Sequence, residues 1–83
     1  MTRDALVAEL ASWIGEIAET APPVLGDETD LVKDLGLDSL ALAELAAKLR
    51  LRHKIRLRPG ELVGKLQVGQ VVDLVLAKIA SST

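Results

Sequence analysis

The chain has 83 residues, 49% of them hydrophobic and 27% charged, and a net charge of −2. That is one small domain, 1–83, burying about 60–65% of its unfolded surface and worth about 4–12 kcal/mol of stability. No cysteine and a single histidine, His53, exclude disulfides and thiolate metal sites, and leave too few ligands for a transition metal.

Trp13 is the sole aromatic, so the core must be built from Leu, Val, Ile and Ala. No apolar run approaches the ~18 residues of a membrane span. Met1-Thr2-Arg3-Asp4 has no signal-peptide character, and the lack of cysteine fits a reducing compartment, so a cytoplasmic protein without membrane association is expected. The charge is unevenly spread: residues 1–47 hold ten acids and two bases (−8), and residues 48–83 hold eight bases and two acids (+6). Such a chain can present opposite faces to different partners.

Leu6, Leu10, Ile14 and Ile17 recur at helical spacing, with Val7 and Trp13 on the flanks of the stripe. Thr2 can cap this first helix, and Asp4 suits its first turn. Gly15 costs about 1 kcal/mol against alanine in a helix, which close approach of another element would explain. Pro22 and Pro23 end the helix. A lone tryptophan in such a position packs half-buried beside a core.

Residues 20–37 form a long connection, unusual in a small domain. Leu25, Leu31, Leu35 and Leu37 can anchor it while Asp27, Glu28, Asp30 and Asp34 stay wet, and Thr29 or Asp30 can cap a single helical turn. The acids lack the spacing, glycine and bidentate glutamate of a calcium loop, so no metal site is expected. The loop ends in Asp34-Leu35-Gly36-Leu37-Asp38-Ser39-Leu40. Gly36 supplies a residue that tolerates positive φ. Asp38 and Ser39 are both strong N-cap residues before a second helix of about 39–51. A hydroxyl there sits where unpaired N–H groups and the macrodipole favour a phosphate. His53, the only imidazole, lies about 20 Å from Ser39 along a helix, so serine hydrolase chemistry is excluded.

The Asp-Leu-Gly-Leu-Asp-Ser-Leu stretch resembles the modification site of acyl carrier proteins, and the flanking elements fit that family along nearly the whole chain. The resemblance implies that Ser39 carries a covalent 4′-phosphopantetheine arm taken from coenzyme A, with Asp38 as the preceding acid. It also implies that partner enzymes read the outer face of the second helix, through Leu37, Leu40, Ala43, Glu44 and Ala47. Many carriers are strongly acidic there. Here Ala41, Ala43, Ala47 and Arg50 dilute the charge and Glu44 is the helix's one acid, so Leu40, Ala43 and Ala47 carry more of the expected recognition.

In the second helix Leu42, Leu45, Ala46 and Leu49 are expected to face the core, and Glu44 and Lys48 to pair at i, i+4. Residues 50–58 alternate bases with apolar residues, which predicts a short extended segment with Ile55 and Leu57 inward and Lys54, Arg56 and Arg58 outward. Without interleaved aromatics, and in an acidic chain, a solvated edge or a carrier–enzyme contact is expected there rather than a nucleic-acid patch. Pro59-Gly60 breaks the segment, Glu61–Val63 form one short turn, and Gly64 closes it. Val68, Val72, Val75 and Ile79 mark a last helix of about 67–80, with Val71, Leu74 and Leu76 widening its apolar face. Lys65-Leu66-Gln67 offers it no good cap, and Ser81–Thr83 reads as a fraying tail.

The expected fold is all-α, a small up-and-down bundle of three main helices plus one short helix, with a long first loop. The expected function is non-catalytic carriage of acyl groups as thioesters on the arm at Ser39, in polyketide-type specialised (antibiotic-like) biosynthesis rather than housekeeping fatty-acid synthesis. An aminoacyl or peptidyl carrier is the alternative. On the resemblance, partners are a phosphopantetheinyl transferase, acyl- or aminoacyl-loading enzymes, acyltransferases and ketosynthases, with no nucleic acid, around a monomer. A reading of another class is an unmodified helical module that binds an anionic partner through residues 48–58.

Overall fold

The computed structural model describes residues 2–81, the side chain of Pro59 excepted. It holds four helices: α1 (Arg3–Ala18), α2 (Ser39–His53), α3 (Pro59–Val63) and α4 (Val68–Ser81). Among the described residues there is no strand, only one antiparallel bridge between Asp30 and Gln67. This is the expected all-α bundle of three main helices and a short one. The tail beyond Ser81 lies outside the described residues.

α1 starts where its sequence says it should, with Thr2 Oγ1 accepting from Ala5 N at 3.1 Å. It stops at Ala18, before the prolines are reached. Glu19 takes a left-handed conformation (φ 58°), Thr20 N donates to Gly15 O at 2.9 Å, and Glu19 N donates to Glu16 O at 3.3 Å. That is a Schellman ending built on a glutamate instead of a glycine. Gly15 makes room for the turn that closes over it: a Cβ there would stand 3.0 Å from Thr20 O and 3.2 Å from Pro22 Cα. The crowding neighbour is thus the reversing chain just beyond α1, and it is backbone that cannot swing away.

α1 and α2 lie antiparallel, with Glu16 facing Lys48 (3.5 Å) and Glu9 facing Arg52 (3.4 Å) and His53 (2.5 Å). Lys48 therefore pairs across to α1 and not with Glu44, as the i, i+4 spacing suggested. Leu6, Leu10 and Ile14 of α1 meet Leu42, Leu45, Ala46 and Leu49 of α2 in an aromatic-free core. Val68, Val71, Val72 and Val75 of α4 and Leu62 of α3 close it. Val71 is fully buried, a core residue rather than a flank. Ala41 is also buried, where an outward position was expected. Trp13 packs half-buried against the cluster, with its ring edge-on to His53 at 6.5 Å.

α2 runs through Arg50, Leu51, Arg52 and His53, two residues beyond the expected end; left-handed Lys54 (φ 54°) stops it. The extended segment is accordingly short, residues 55–58, but its faces are as read: Ile55 and Leu57 buried, Arg56 and Arg58 exposed. Pro59 opens α3 and does not break the chain, since a proline at the first helical position forfeits only an N–H that had no partner. Glu61 completes this start by accepting from Arg58 N at 3.1 Å.

The first loop is held as firmly as a helix end. Asp30 Oδ1 accepts from Val32 N and Lys33 N, each at 2.8 Å, capping the turn 31–35. Asp34 Oδ2 returns the bond to Asp30 N at 2.8 Å. Leu31 drops from this turn into the core, 1% exposed, worth about 1.5–3 kcal/mol of apolar burial.

The same loop solves the capping problem at α4. Val68 N donates to Thr29 O and Gly69 N to Asp27 O, both at 2.9 Å, while Leu31 N donates to Leu66 O at 2.8 Å. Main-chain carbonyls thus do what a cap side chain would have done. The approach is so close that a Cβ on Gly69 would come within 3.1 Å of Asp27 O.

The backbone N–H of Lys33, and then that of Val32, hold the Asp30 carboxyl below the usual carboxylate range. A group with a depressed folded pKa contributes stability above its unfolded pKa and loses it as pH falls through the folded one. Unfolding stability should therefore decline below about pH 4, and Asp30→Ala should flatten that decline. Urea midpoints at neutral and acid pH check this; equal acid losses in both proteins would rule it out.

Candidate functional site

Two adjacent residues divide the labour at the start of α2. Asp38 is the N-cap, in an extended conformation, and its Oδ1 accepts from Ala41 N at 2.8 Å. Ser39 is then the first helical residue. Of the two residues able to cap, Asp38 does so and Ser39 is left over. Its side chain is exposed and forms no hydrogen bond with any described residue. The N–H groups of Ser39 and Leu40 likewise have no acceptor among the described residues. A free hydroxyl beside two free N–H groups at a positive helix end is chemically suited to hold a phosphate ester.

Gly36, with φ +70°, makes the last bend before this helix, and nothing lies within 4 Å of where its Cβ would be. It is required for conformation, not for room. Leu37 comes next and is buried, 5% exposed. Of its two expected roles, loop anchor and part of the docking surface, it takes the first: it is a core anchor beneath that surface, its N–H donating to Leu31 O at 3.0 Å. Leu40, by contrast, is 67% exposed, in keeping with the outward position read for it. Glu44 is exposed and Ala43 and Ala47 are half-buried. These four stand together on α2.

A groove of about 270 Å³ opens next to Ser39, between Ile17 and Ala18 at the end of α1 and Leu40, Ala41 and Glu44 on α2. Sequence reasoning did not find it, because it depends on how α1 and α2 cross. Among the described residues no cluster of three or more histidines or acids is placed to hold a metal. Asp30 and Asp34 are committed to the turn they cap. No helix is long and apolar enough to cross a membrane, again among the described residues. His53 sits at the opposite end of α2 and is bonded to Glu9.

Comparison with known proteins gives the chain's family. Residues 4–75 match the family described as the phosphopantetheine attachment site. An acyl carrier protein of Saccharopolyspora erythraea is 38% identical over 71 residues, covering 86% of this chain and 70% of that protein. A meromycolate extension acyl carrier protein of Mycolicibacterium smegmatis is 31% identical over 71 residues, 86% of this chain and 72% of the relative. Its counterpart from Mycobacterium leprae is 28% identical over 75 residues, 90% of this chain but 65% of the relative's length, just under two thirds. The family brings a covalent 4′-phosphopantetheine group, and its members are carriers that enzymes act upon, a phosphopantetheinyl transferase and acyl-handling enzymes among them. With a family match over residues 4–75 and a relative 38% identical across most of both chains, this chain belongs to the acyl carrier proteins.

Proposed function

We propose that Ser39 is the residue that carries the arm. The observation behind this is its exposed, unpartnered hydroxyl at the first position of α2, inside Asp-Leu-Gly-Leu-Asp-Ser-Leu. In loading, Ser39 Oγ forms a phosphodiester with the phosphopantetheine half of coenzyme A, the nucleotide half leaves, and the hydroxyl proton passes to the transferase. When bound, the group supplies a terminal thiol on which acyl chains are held as thioesters. The protein's part is structural. Asp38 fixes the helix start, Leu37 and Gly36 fix the approach, and Leu40, Ala43, Glu44 and Ala47 offer partner enzymes a surface that is mostly apolar.

Residues 1–83 act as one carrier domain, a monomer working in the cytoplasm. For the cargo, the relatives named for meromycolate extension favour fatty-acyl chains undergoing elongation. Polyketide-type assembly is the second reading, favoured by the single acid on α2, which suits partners that do not rely on a basic docking patch. Incubation with coenzyme A and a broad-specificity transferase tests the attachment. Intact mass should rise by one arm; no gain under conditions that load a control carrier would replace carriage with the interaction-module reading.

A further inference from the structure

Residues 48–58 hold six bases and no acid, and the fold divides them in two. Lys48 pairs with Glu16 at 3.5 Å, Arg52 with Glu9 at 3.4 Å, and Arg50 donates to Leu57 O at 3.0 Å. Those three serve the bundle. Lys54, Arg56 and Arg58 are exposed and form no salt bridge among the described residues. The nearby acid, Glu61, is engaged by Lys78 at 2.9 Å. Nor does the α2 dipole account for all three, because it acts within the last turn, and Arg56 and Arg58 lie beyond it.

The backbone of residues 55–58 is extended, so alternate residues project to one side. Ile55 and Leu57 are buried, Arg56 and Arg58 stand on the other side about 6.6 Å apart, and Lys54 adds a third cation at the left-handed turn just before them. The main-chain N–H and C=O of Arg56 form no hydrogen bond with any described residue. Beside them lies a groove of about 270 Å³, lined by Lys54, Ile55 and Arg56 with Lys78 and Ser81 of α4.

We propose that Lys54, Arg56 and Arg58 form a docking edge for an extended acidic segment of a partner protein. Acids at alternate positions of such a segment repeat at the same pitch as Arg56 and Arg58, and its intervening apolar side chains can enter the groove. Its backbone can also meet the open N–H and C=O of Arg56, as in strand addition. A nucleic-acid strand matches less well: no aromatic is present for its bases, and the chain as a whole is acidic, with a net charge of −2. The edge stands at the far end of α2, about 20 Å from Ser39, so a partner held here leaves the helix start open to a second enzyme.

The edge does not involve Ser39, so the full chain is tested without an arm. The probe is a fluorescent peptide of alternating Glu and Val, followed by anisotropy. Binding at about 20 mM salt should weaken at least tenfold by about 0.3 M. It should also weaken at least tenfold in K54Q/R56Q/R58Q, with helical circular dichroism retained, and be unchanged in K65Q, an exposed cation elsewhere. Should the triple variant unfold, R56Q alone should lose about threefold by removing one of three contacts. Absence of binding, equal binding of a peptide with the same residues in two blocks, tighter binding of oligo-dT, or unchanged binding by the folded variants would each overturn the proposal.

Discussion

Ser39→Ala should abolish loading completely: no mass gain with coenzyme A and a transferase, against a full one-arm gain in the parent protein. The substitution is clean because the helix does not depend on this side chain. Asp38, not Ser39, bonds Ala41 N, and alanine is the best helix former at an exposed helical position. Far-ultraviolet circular dichroism and the urea midpoint should therefore stay within about 0.5 kcal/mol of the parent. A Ser39→Ala protein that still gains an arm would move attachment to another hydroxyl. One that loses its helicity would show that Ser39 has a structural role the geometry does not assign to it.

Leu45→Ala should have the largest effect on stability. Leu45 lies in the middle of α2, is fully buried, and belongs to a cluster drawn from all four helices. Truncating a buried leucine costs about 2–5 kcal/mol, from a total of about 4–12 kcal/mol. At the upper end, little of the folded state would survive at room temperature. The thermal midpoint should fall by about 10 °C or more, and loading should fall with it, because a transferase needs α2 formed. A loss below about 1 kcal/mol would mean that the core closes over the gap, and that packing around α2 is looser than the absence of exposure implies.

The helical stripes were legible because apolar residues repeat at fixed spacing whatever they pack against. Leu6, Leu10, Ile14, Leu42, Leu45, Leu49, Val68, Val72 and Val75 all reach the core from that rule alone. Three features escaped it. The cap of α4 is supplied by carbonyls of Thr29 and Asp27, some forty residues upstream, and a main-chain acceptor leaves no mark in side-chain identity. Lys48 chose Glu16 over Glu44 because α1 and α2 cross closely enough for a tertiary pair to compete with a local one. Leu37 reads both as a loop anchor and as a docking residue, because a leucine next to the motif looks the same whether it points in or out; the bend at Gly36 turns it inward. At the site itself, the Asp38–Ser39 pair was readable, but not which residue would cap. That depends on a single bond to Ala41 N.

The fastening of the first loop to α4 has an implication for how this chain tolerates drift. Its three bonds run from peptide group to peptide group, so the identity of the side chains at Thr29, Leu66 and Val68 does not decide whether these three bonds can form, although Val68 is still held by its burial in the core. Gly69 is the exception, since any larger residue would push the two segments of chain apart. Random substitution libraries should therefore find the exposed positions of this joint permissive, with intolerance at Gly69 for lack of room and at Leu31 and Val68 for their place in the core.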